Sequence, residues 1–219
     1  MRNMFGNKKK KAAEECRKGD EEAKQGNWAD AYLYFGNAVN LYSKDHVLWL
    51  KHGDSAYRLA ENGGIGLVFL KDESPEEYFN RLYKNASTSF KRSLHLFPEM
   101  DNKQKSIIYL RLGQIELHFN HLLESENYFK MAIILTEYDD PIQAEMYTDL
   151  TNCCGKQFVE HVNVPNSDEE ILTHLFKKTV EYWNLSIKFS LDKESEEVKQ
   201  SSEELAAFER TWNKYSEER

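Results

Sequence analysis

Residues 19–31 read Gly19-Asp-Glu-Glu-Ala-Lys-Gln-Gly26-Asn-Trp28-Ala-Asp-Ala31, and Phe35 and Ala38 follow at helical spacing. Small residues combined with aromatic residues in this way allow two antiparallel helices to approach each other closely. The pair Gly26-Asn27 predicts the turn between them, because both residue types tolerate turn conformations. The stretch therefore predicts a helix–turn–helix unit.

Three further stretches repeat this pattern. The second contains Trp49-Leu-Lys-His-Gly53, the third contains Tyr109-Leu-Arg-Leu-Gly113, and a weaker fourth begins at Tyr147-Thr-Asp-Leu150. The pattern resembles the tetratricopeptide repeat (TPR), a helix–turn–helix unit of about 34 residues. Two positions depart from it, since His52 replaces the usual leucine of the second copy and Thr151 replaces the glycine of the fourth.

The second copy is interrupted between its two helices. Its second helix, marked by Tyr83, Ala86 and Phe90, arrives about 21 residues late for a TPR unit. Three glycines among residues 63–66 break the first helix. Ser74-Pro75-Glu76-Glu77 then predicts a new helix with a capping box, which we expect to end near Phe97.

Two later helices have start signals of their own. Asp140-Pro141 begins the fourth pair, with Gln143 placed to close a second capping box, and Ser167-Asp168-Glu169-Glu170 begins the next long helix. We expect that helix to bury one broad apolar face, which comprises Ile171, Leu172, Leu175, Phe176, Val180 and Trp183. A last helix, about 193–217, carries an apolar stripe of Val198, Leu205, Phe208, Trp212 and Tyr215.

These elements predict an all-α fold. The TPR resemblance implies a right-handed helical solenoid of about four helix pairs with a C-terminal capping helix, because such arrays need an end helix with a polar outer face. We expect a basic N-terminal segment at 1–11, the TPR-like array at 12–190 with an insertion at about 61–74, and the capping helix at 191–219.

Composition excludes several classes of protein. The 219 residues are 40% hydrophobic, 13% aromatic and 30% charged, a profile that disfavours a disordered chain. The longest apolar run, Leu67-Val68-Phe69-Leu70, is too short for a membrane span, and no secretory signal follows the N-terminal lysines. The formal charge of −8 disfavours direct binding of nucleic acid and is compatible with a basic protein partner.

The TPR resemblance implies a concave groove that holds an extended peptide or a helix of another protein. The first helices of the pairs line this groove in TPR proteins. Counted from the repeat motif, the groove should display Asp20, Lys24, Asp54, Tyr57, Arg58, Gln114, Leu117, His118, Asn152 and Lys156.

One TPR subfamily can be tested residue by residue. Co-chaperones that bind the EEVD tail of heat-shock chaperones hold its carboxylates with lysine, asparagine and arginine. The matching positions in the first two copies are Cys16, Asp20 and Lys51. An aspartate repels a carboxylate ligand, so the sequence argues against this type of co-chaperone.

The interrupted copy is similar to the NASP-like (SHNi-TPR) histone chaperones, whose second repeat is split by an insertion that is often long and acidic. The similarity lies in Leu59-Ala60, Glu61-Asn62-Gly63 and Gly66, and in Glu124-Ser-Glu-Asn-Tyr128 of the third copy. The insertion here is short, and its acidity is limited to Asp72, Glu73, Glu76 and Glu77. The resemblance implies a nuclear chaperone that binds core histones in its groove.

Two other protein-binding roles remain open. A general scaffold or co-chaperone adaptor would take a peptide in the same groove, and its affinity would depend on Tyr57, Arg58, Leu117 and Lys156. Alternatively, the stripe of Trp212 and Tyr215 would dock on a second copy of the chain instead of capping its own.

No enzyme is expected, because the sequence contains no catalytic pattern of serine or cysteine with histidine. His118 and His121 supply too few ligands for a metal site, and no cofactor is implied. Three cysteines without C-x-x-C spacing favour a reducing compartment. With the weak import signal Lys8-Lys9-Lys10-Lys11, the expected location is nuclear, cytoplasmic or both.

Overall fold

The computed structural model describes residues 2–63, 73–137, 140–165, 167–191 and 193–217, with side chains from residue 7 onward. Within these ranges the chain is helical and contains no strand. The described helices are α1 (Arg2–Lys24), α2 (Trp28–Leu41), α3 (His46–Glu61), α4 (Pro75–Leu96), α5 (Asn102–His118), α6 (Leu122–Leu135), α7 (Ile142–Val162), α8 (Glu169–Phe189) and α9 (Glu196–Glu217). The predicted all-α class is confirmed.

The helices form two compact units, an N-terminal unit within Met1–Asp101 and a C-terminal unit within Asn102–Arg219. In the first, α1 pairs with α2, α3 pairs with α4, and α2 packs on α3. In the second, α5 pairs with α6 and α7 with α8, while α6 contacts α7 and α9 packs on α8. The basic residues expected in a separate segment at 1–11 lie in α1 itself, which begins at Arg2.

A glycine facing a phenylalanine sets the spacing of three helix pairs. In each pair the first helix supplies the glycine and the second supplies the ring, as in Gly19–Phe35, Gly53–Phe90 and Gly113–Phe129. A Cβ atom at these glycines would lie 2.6–2.9 Å from the nearest ring carbon, closer than real Cβ contacts. In the fourth pair Thr151 stands at the corresponding position, and a Cβ atom at Gly155, the glycine of α7, would meet Thr179 no nearer than 4.0 Å.

The insertion separates α3 from α4 without changing that contact. Gly53 and Phe90 are 37 residues apart, whereas the glycine and phenylalanine of the first and third pairs are 16 apart. Residues 64–72, which make up most of the predicted insertion, lie outside the described residues. At its far end, Ser74 and Glu77 form the predicted capping box.

The second predicted capping box is wrong. Asp140 does cap α7, because its side chain accepts a hydrogen bond from the backbone N–H of Ile142 at 3.1 Å. The backbone N–H of Asp140, however, donates to the carbonyl of Glu137, and the buried side chain of Gln143 donates to that same carbonyl. Gln143 therefore belongs to the preceding turn. At α8 the N-cap is Asp168, which accepts from the backbone N–H of Glu170 at 2.8 Å.

The apolar face of α8 is narrower than predicted. Leu172 and Leu175 are buried, but Ile171 is 44% exposed because it precedes the buried stripe by one position. Phe176 stacks on Trp212 of α9 with ring centroids 4.8 Å apart. Trp212 also contacts Phe158 of α7, so the stripe on α9 packs against its own chain.

An ionic cluster ties together three helices of the C-terminal unit. Glu126 of α6 is only 5% exposed and binds Lys130, Lys178 of α8 and Gln157 of α7. Burial by itself would raise the pKa of this carboxyl, but the hydrogen bonds from its partners outweigh burial and lower the pKa to about 2. A buried charge with several partners is costly to disrupt, so this cluster fixes the relative positions of α6, α7 and α8.

Candidate functional site

In the N-terminal unit, Asp20 is already bound within the chain. Its carboxylate accepts from the Nζ of Lys51 at 2.6 Å on both oxygens, and the same Nζ lies 3.6 Å from the Sγ of Cys16. Burial would lower the pKa of Lys51, but the bond to Asp20 raises it instead. The three positions compared with the EEVD clamp thus bind one another. A carboxylate ligand would have to displace Asp20 from Lys51.

Asp54 and Arg58 form the next pair along α3. The guanidinium of Arg58 donates to Asp54 at 2.9 Å and lies over the ring of Trp28 at 4.8 Å from its centroid. Both charged side chains remain substantially exposed. Lys24, the last residue of α1, is exposed as well. These residues are accessible, and the charges of Asp54 and Arg58 cancel each other.

Tyr57 does not line an accessible surface. It is 5% exposed, and its ring packs edge-to-face on that of Tyr83 with centroids 6.0 Å apart. The phenol of Tyr83 in turn donates to Glu61 at 2.7 Å. Tyr57 therefore serves the packing of α3 against α4.

In the C-terminal unit, Gln114 connects α5 to α7. Its amide nitrogen donates to Glu145 at 3.0 Å and to Asp149 at 2.8 Å, while its oxygen accepts from Arg111 at 2.8 Å. Of its neighbours on α5, Leu117 packs half-buried against the core of the unit. His118 ends the helix in an exposed position.

Asn152 and Lys156 line a groove bounded by α7, α8 and α9, here called the α7–α9 groove. Its volume is about 690 Å³, within the size range of ligand-binding clefts. Asn152, Lys156 and Glu160 lie one turn apart on α7 and form one wall. Within the part of the chain that the structure describes, the ammonium of Lys156 has no ion pair or hydrogen bond.

The floor and the opposite wall of this groove come from helices that the repeat pattern did not assign to a binding surface. Trp183 of α8 donates its indole N–H to the Oγ of Ser201 at 2.7 Å, which fixes the orientation of the ring. Its ring lies 6.1 Å from that of Phe208 on α9. Ser201, Glu204 and Phe208 share one face of α9, but the apolar stripe predicted for this helix contained only Phe208 of the three.

Two carboxylates on different helices line the groove. On α7, Glu160 accepts from the side-chain amide of Asn120 at 2.9 Å, so its position is fixed by the turn between α5 and α6. On α9, Glu204 accepts from Gln200 at 2.8 Å. Both side chains are exposed, and both line the groove. Together with Lys156 they make its charged lining acidic.

The net charge of the chain resides in the C-terminal unit. Residues 102–219 contain 13 Lys and Arg against 22 Asp and Glu, a formal charge of −9. Residues 1–101 contain 16 against 15, a formal charge of +1. The unit that holds the α7–α9 groove therefore carries the negative potential that attracts a basic partner.

Among the described residues, the potential metal ligands are scattered and the thiols of Cys153 and Cys154 are buried. The described residues contain no group of three or more His, Cys, Asp or Glu side chains placed to hold a metal ion. Burial raises the pKa of Cys154 to about 12 and also raises that of Cys153, so both thiols stay protonated near neutral pH. None of the described helices combines the length and apolar character that a membrane span requires.

Comparison with solved structures identifies the fold. The crystal structure of the MamA protein, a TPR repeat protein, is similar to this chain with a TM-score of 0.51, at 15% identity over 94% of this chain and 95% of MamA. A TPR repeats protein from Bacteroides fragilis gives a TM-score of 0.39 at 16% identity, over 90% of this chain and 98% of that one. No family model and no curated protein matches the sequence. The fold is TPR-like.

Proposed function

We propose that this chain is a non-catalytic protein-binding module whose C-terminal unit binds a basic protein, and that core histones are its partner. The observation that carries the proposal is the charge of −9 on residues 102–219, next to +1 on the remainder. Core histones are strongly basic, and complementary charge raises both association rate and specificity. The resemblance of the interrupted second copy to NASP-like chaperones points to the same partner.

In this proposal the α7–α9 groove is the surface that contacts the basic partner. It is bordered by Glu160 and Glu204, while Trp183 and Phe208 supply aromatic surface at its floor. Tryptophan and phenylalanine are enriched where protein interfaces are buried. In the N-terminal unit, by contrast, Asp20 is already paired with Lys51 and Asp54 with Arg58.

Direct binding of purified core histones to the full chain tests the proposal. We expect a complex at about 50 mM salt that weakens steeply by about 300 mM, because salt screens attraction between exposed charges. A basic globular protein such as lysozyme serves as the control for attraction by net charge alone. Absence of a histone complex at low salt, or equal binding of lysozyme, contradicts the proposal.

A general peptide scaffold is the second candidate. The near-neutral N-terminal unit favours it. Lys51 and Arg58 of α3 are paired with Asp20 and Asp54, so this unit has little net charge to attract a basic protein. Affinity purification from cell extract distinguishes the two, because a scaffold retains one non-histone protein at salt that removes histones. A histone chaperone would act in the nucleus or cytoplasm, and the exposed Lys8–Lys11 on α1 suit an import signal.

A further inference from the structure

The α7–α9 groove combines carboxylates on two helices with aromatic surface from Trp183 and Phe208. We propose that it takes an arginine or lysine of an extended partner segment, with the cation between Glu160 and Glu204 and over the rings of Trp183 and Phe208. This inference rests on the proposed function and deepens it, because it assigns the contact that distinguishes a basic partner from an acidic one.

The two walls provide the charge. Glu160 and Glu204 stand on different helices, α7 and α9, and both line the groove, so it offers a bound side chain a carboxylate from each of two helices. Both carboxylates are held by neutral amides, from Asn120 and Gln200, and neither is neutralised by these partners. A guanidinium or ammonium group would therefore gain charge-assisted hydrogen bonds that a neutral side chain cannot make.

The floor provides a second contact that suits a cation. The face of an aromatic ring attracts a positive charge, most strongly for tryptophan. Trp183 is held in place by its bond to Ser201, and Phe208 lies beside it at 6.1 Å between centroids. The hydroxyls of Thr151 and Thr179 near the floor already donate to the carbonyls of Tyr147 and Leu175. The floor is therefore largely apolar, and the methylene stem of lysine or arginine can pack on it.

The charge of Lys156 allows a test of whether the ligand is cationic, because its removal should change the binding affinity in a predictable direction. Lys156 lines the same groove one turn from Glu160, and it opposes a cationic ligand. If the ligand is cationic, removing the charge of Lys156 tightens binding, and removing that of Glu204 weakens it. A ligand that presents a carboxylate would reverse both signs.

Terminally blocked nonapeptides of alternating leucine and arginine, bound to the full chain and followed by fluorescence anisotropy at about 50 mM salt, test the site. A peptide with citrulline in place of arginine has the same shape without the charge. We expect the arginine peptide to bind at least about tenfold more tightly than the citrulline peptide, since a charged hydrogen bond is worth more than a neutral one.

Variants of the full chain locate the contact. Glu204→Gln should weaken the arginine peptide about three- to tenfold, and Lys156→Gln should tighten it about twofold or more. Glu203→Gln is the matched control, because it removes the same charge from the adjacent exposed position of α9 that does not line the groove. Thermal unfolding of the two glutamate variants verifies that both fold equally well.

Each outcome decides for or against the site. Weaker binding with Glu204→Gln but not with Glu203→Gln, together with tighter binding for Lys156→Gln, supports the proposal. Equal effects of the two glutamate variants, equal binding of the citrulline peptide, or no binding of the arginine peptide overturns it. If Glu204→Gln still binds histones normally, the groove assignment is wrong although the proposed function stands. If the peptide binds and histones do not, the partner identity is wrong instead.

Discussion

At the scale of single residues, close helix packing depends on glycines that face a ring. Gly113 is the tightest case, since its missing Cβ would lie 2.6 Å from Phe129, which is fully buried. Neither the ring nor the backbone can move away without losing contacts in the core. The position therefore requires glycine because of contact distance and not because of backbone conformation.

Gly113→Ala should lower the free energy of unfolding by about 1–3 kcal/mol, the usual effect of overpacking a core. Gly155→Ala is the matched control on α7, where the added Cβ has room and better helix propensity should leave stability unchanged or raise it by up to about 1 kcal/mol. Urea unfolding of both variants measures the difference. Equal stability of the two variants would contradict the assigned packing role.

The sequence predicted the close approach of the paired helices, because the residues that allow it are local. Gly19 and Phe35, or Gly113 and Phe129, lie within one helix–turn–helix unit, so the spacing along the chain fixes their contact in space. Asp20 was predicted to face a partner, yet it binds Lys51, which lies 31 residues away in another pair. Tyr57 was likewise expected in the groove, but its burial depends on Tyr83, which the insertion separates from it. Such contacts are set by tertiary packing, which no local pattern encodes.

His52 occupies the position where the TPR pattern has leucine, and it is packed as an apolar residue would be. Its ring stacks on Tyr32 with centroids 4.8 Å apart, meets Trp49 edge-on, and bonds to the Oγ of Ser89 at 2.9 Å. Burial lowers the pKa of this imidazole to about 4, from 6.5. The folded chain therefore holds His52 neutral at pH values where the unfolded chain protonates it.

Stability should accordingly fall as the pH is lowered from about 6.5 to about 4, because the unfolded state binds more protons in that window. Protonation of His52 in the unfolded chain should lower the free energy of unfolding by about 3 kcal/mol at about pH 4. Above about pH 6.5 this effect is absent. His52→Leu should remove this part of the pH dependence, whereas substitution of the exposed His95 by glutamine should not. Urea unfolding at several pH values measures both, and an unchanged slope for His52→Leu would refute the prediction.

At the scale of elements, α9 is attached by aromatic packing near its C-terminal end. Phe208 and Trp212 contact Phe158 of α7 and Phe176 of α8, and Leu205 is buried nearby. The rest of α9 is mostly exposed and charged. Its docking, and with it one wall of the α7–α9 groove, therefore depends on a few rings.

Trp212→Ala should weaken the docking of α9 by about 2 kcal/mol through lost apolar area and stacking. Backbone amides of α9 that exchange through local opening should then exchange about 30-fold faster, as measured by hydrogen–deuterium exchange. Thr211→Ala is the control, since its exposed hydroxyl donates to the carbonyl of Ala207 on the same helix. Unchanged exchange in Trp212→Ala would mean that α9 is held in another way.

The sequence predicted α9 as a cap but not as a wall of a binding groove. Its apolar stripe was visible as a spacing of three and four residues from Leu205 onward. The stripe packs against Phe158 of α7 and Phe176 of α8, and these two residues determine where α9 docks. The role of Glu204 follows only from that placement.

At the scale of the whole molecule, charge is divided between the two units. Near-neutral residues 1–101 and strongly acidic residues 102–219 give one chain two different surfaces toward a charged partner. The affinity for histones should therefore depend on which unit loses a negative charge, and not only on the number of charges removed.

A triple variant in the C-terminal unit, Glu160→Gln with Glu197→Gln and Glu204→Gln, should weaken core-histone binding by about tenfold or more. Its control has the same net charge and carries Glu14→Gln, Glu21→Gln and Glu99→Gln, all exposed in the N-terminal unit. The control should bind within about twofold of the native chain. Titration of fluorescent histones measures both, and equal weakening would mean that only total charge matters.

The hairpin of α3 and α4 brings its glycine and its phenylalanine together across 37 residues as closely as its neighbours do across 16. Closing the longer connection costs only about 0.7 kcal/mol more in chain entropy, because that cost grows with the logarithm of length. A peptide tag grafted between Gly63 and Glu73 should consequently be tolerated. This junction therefore offers an attachment point for a fluorophore that leaves the Gly53–Phe90 contact between α3 and α4 in place.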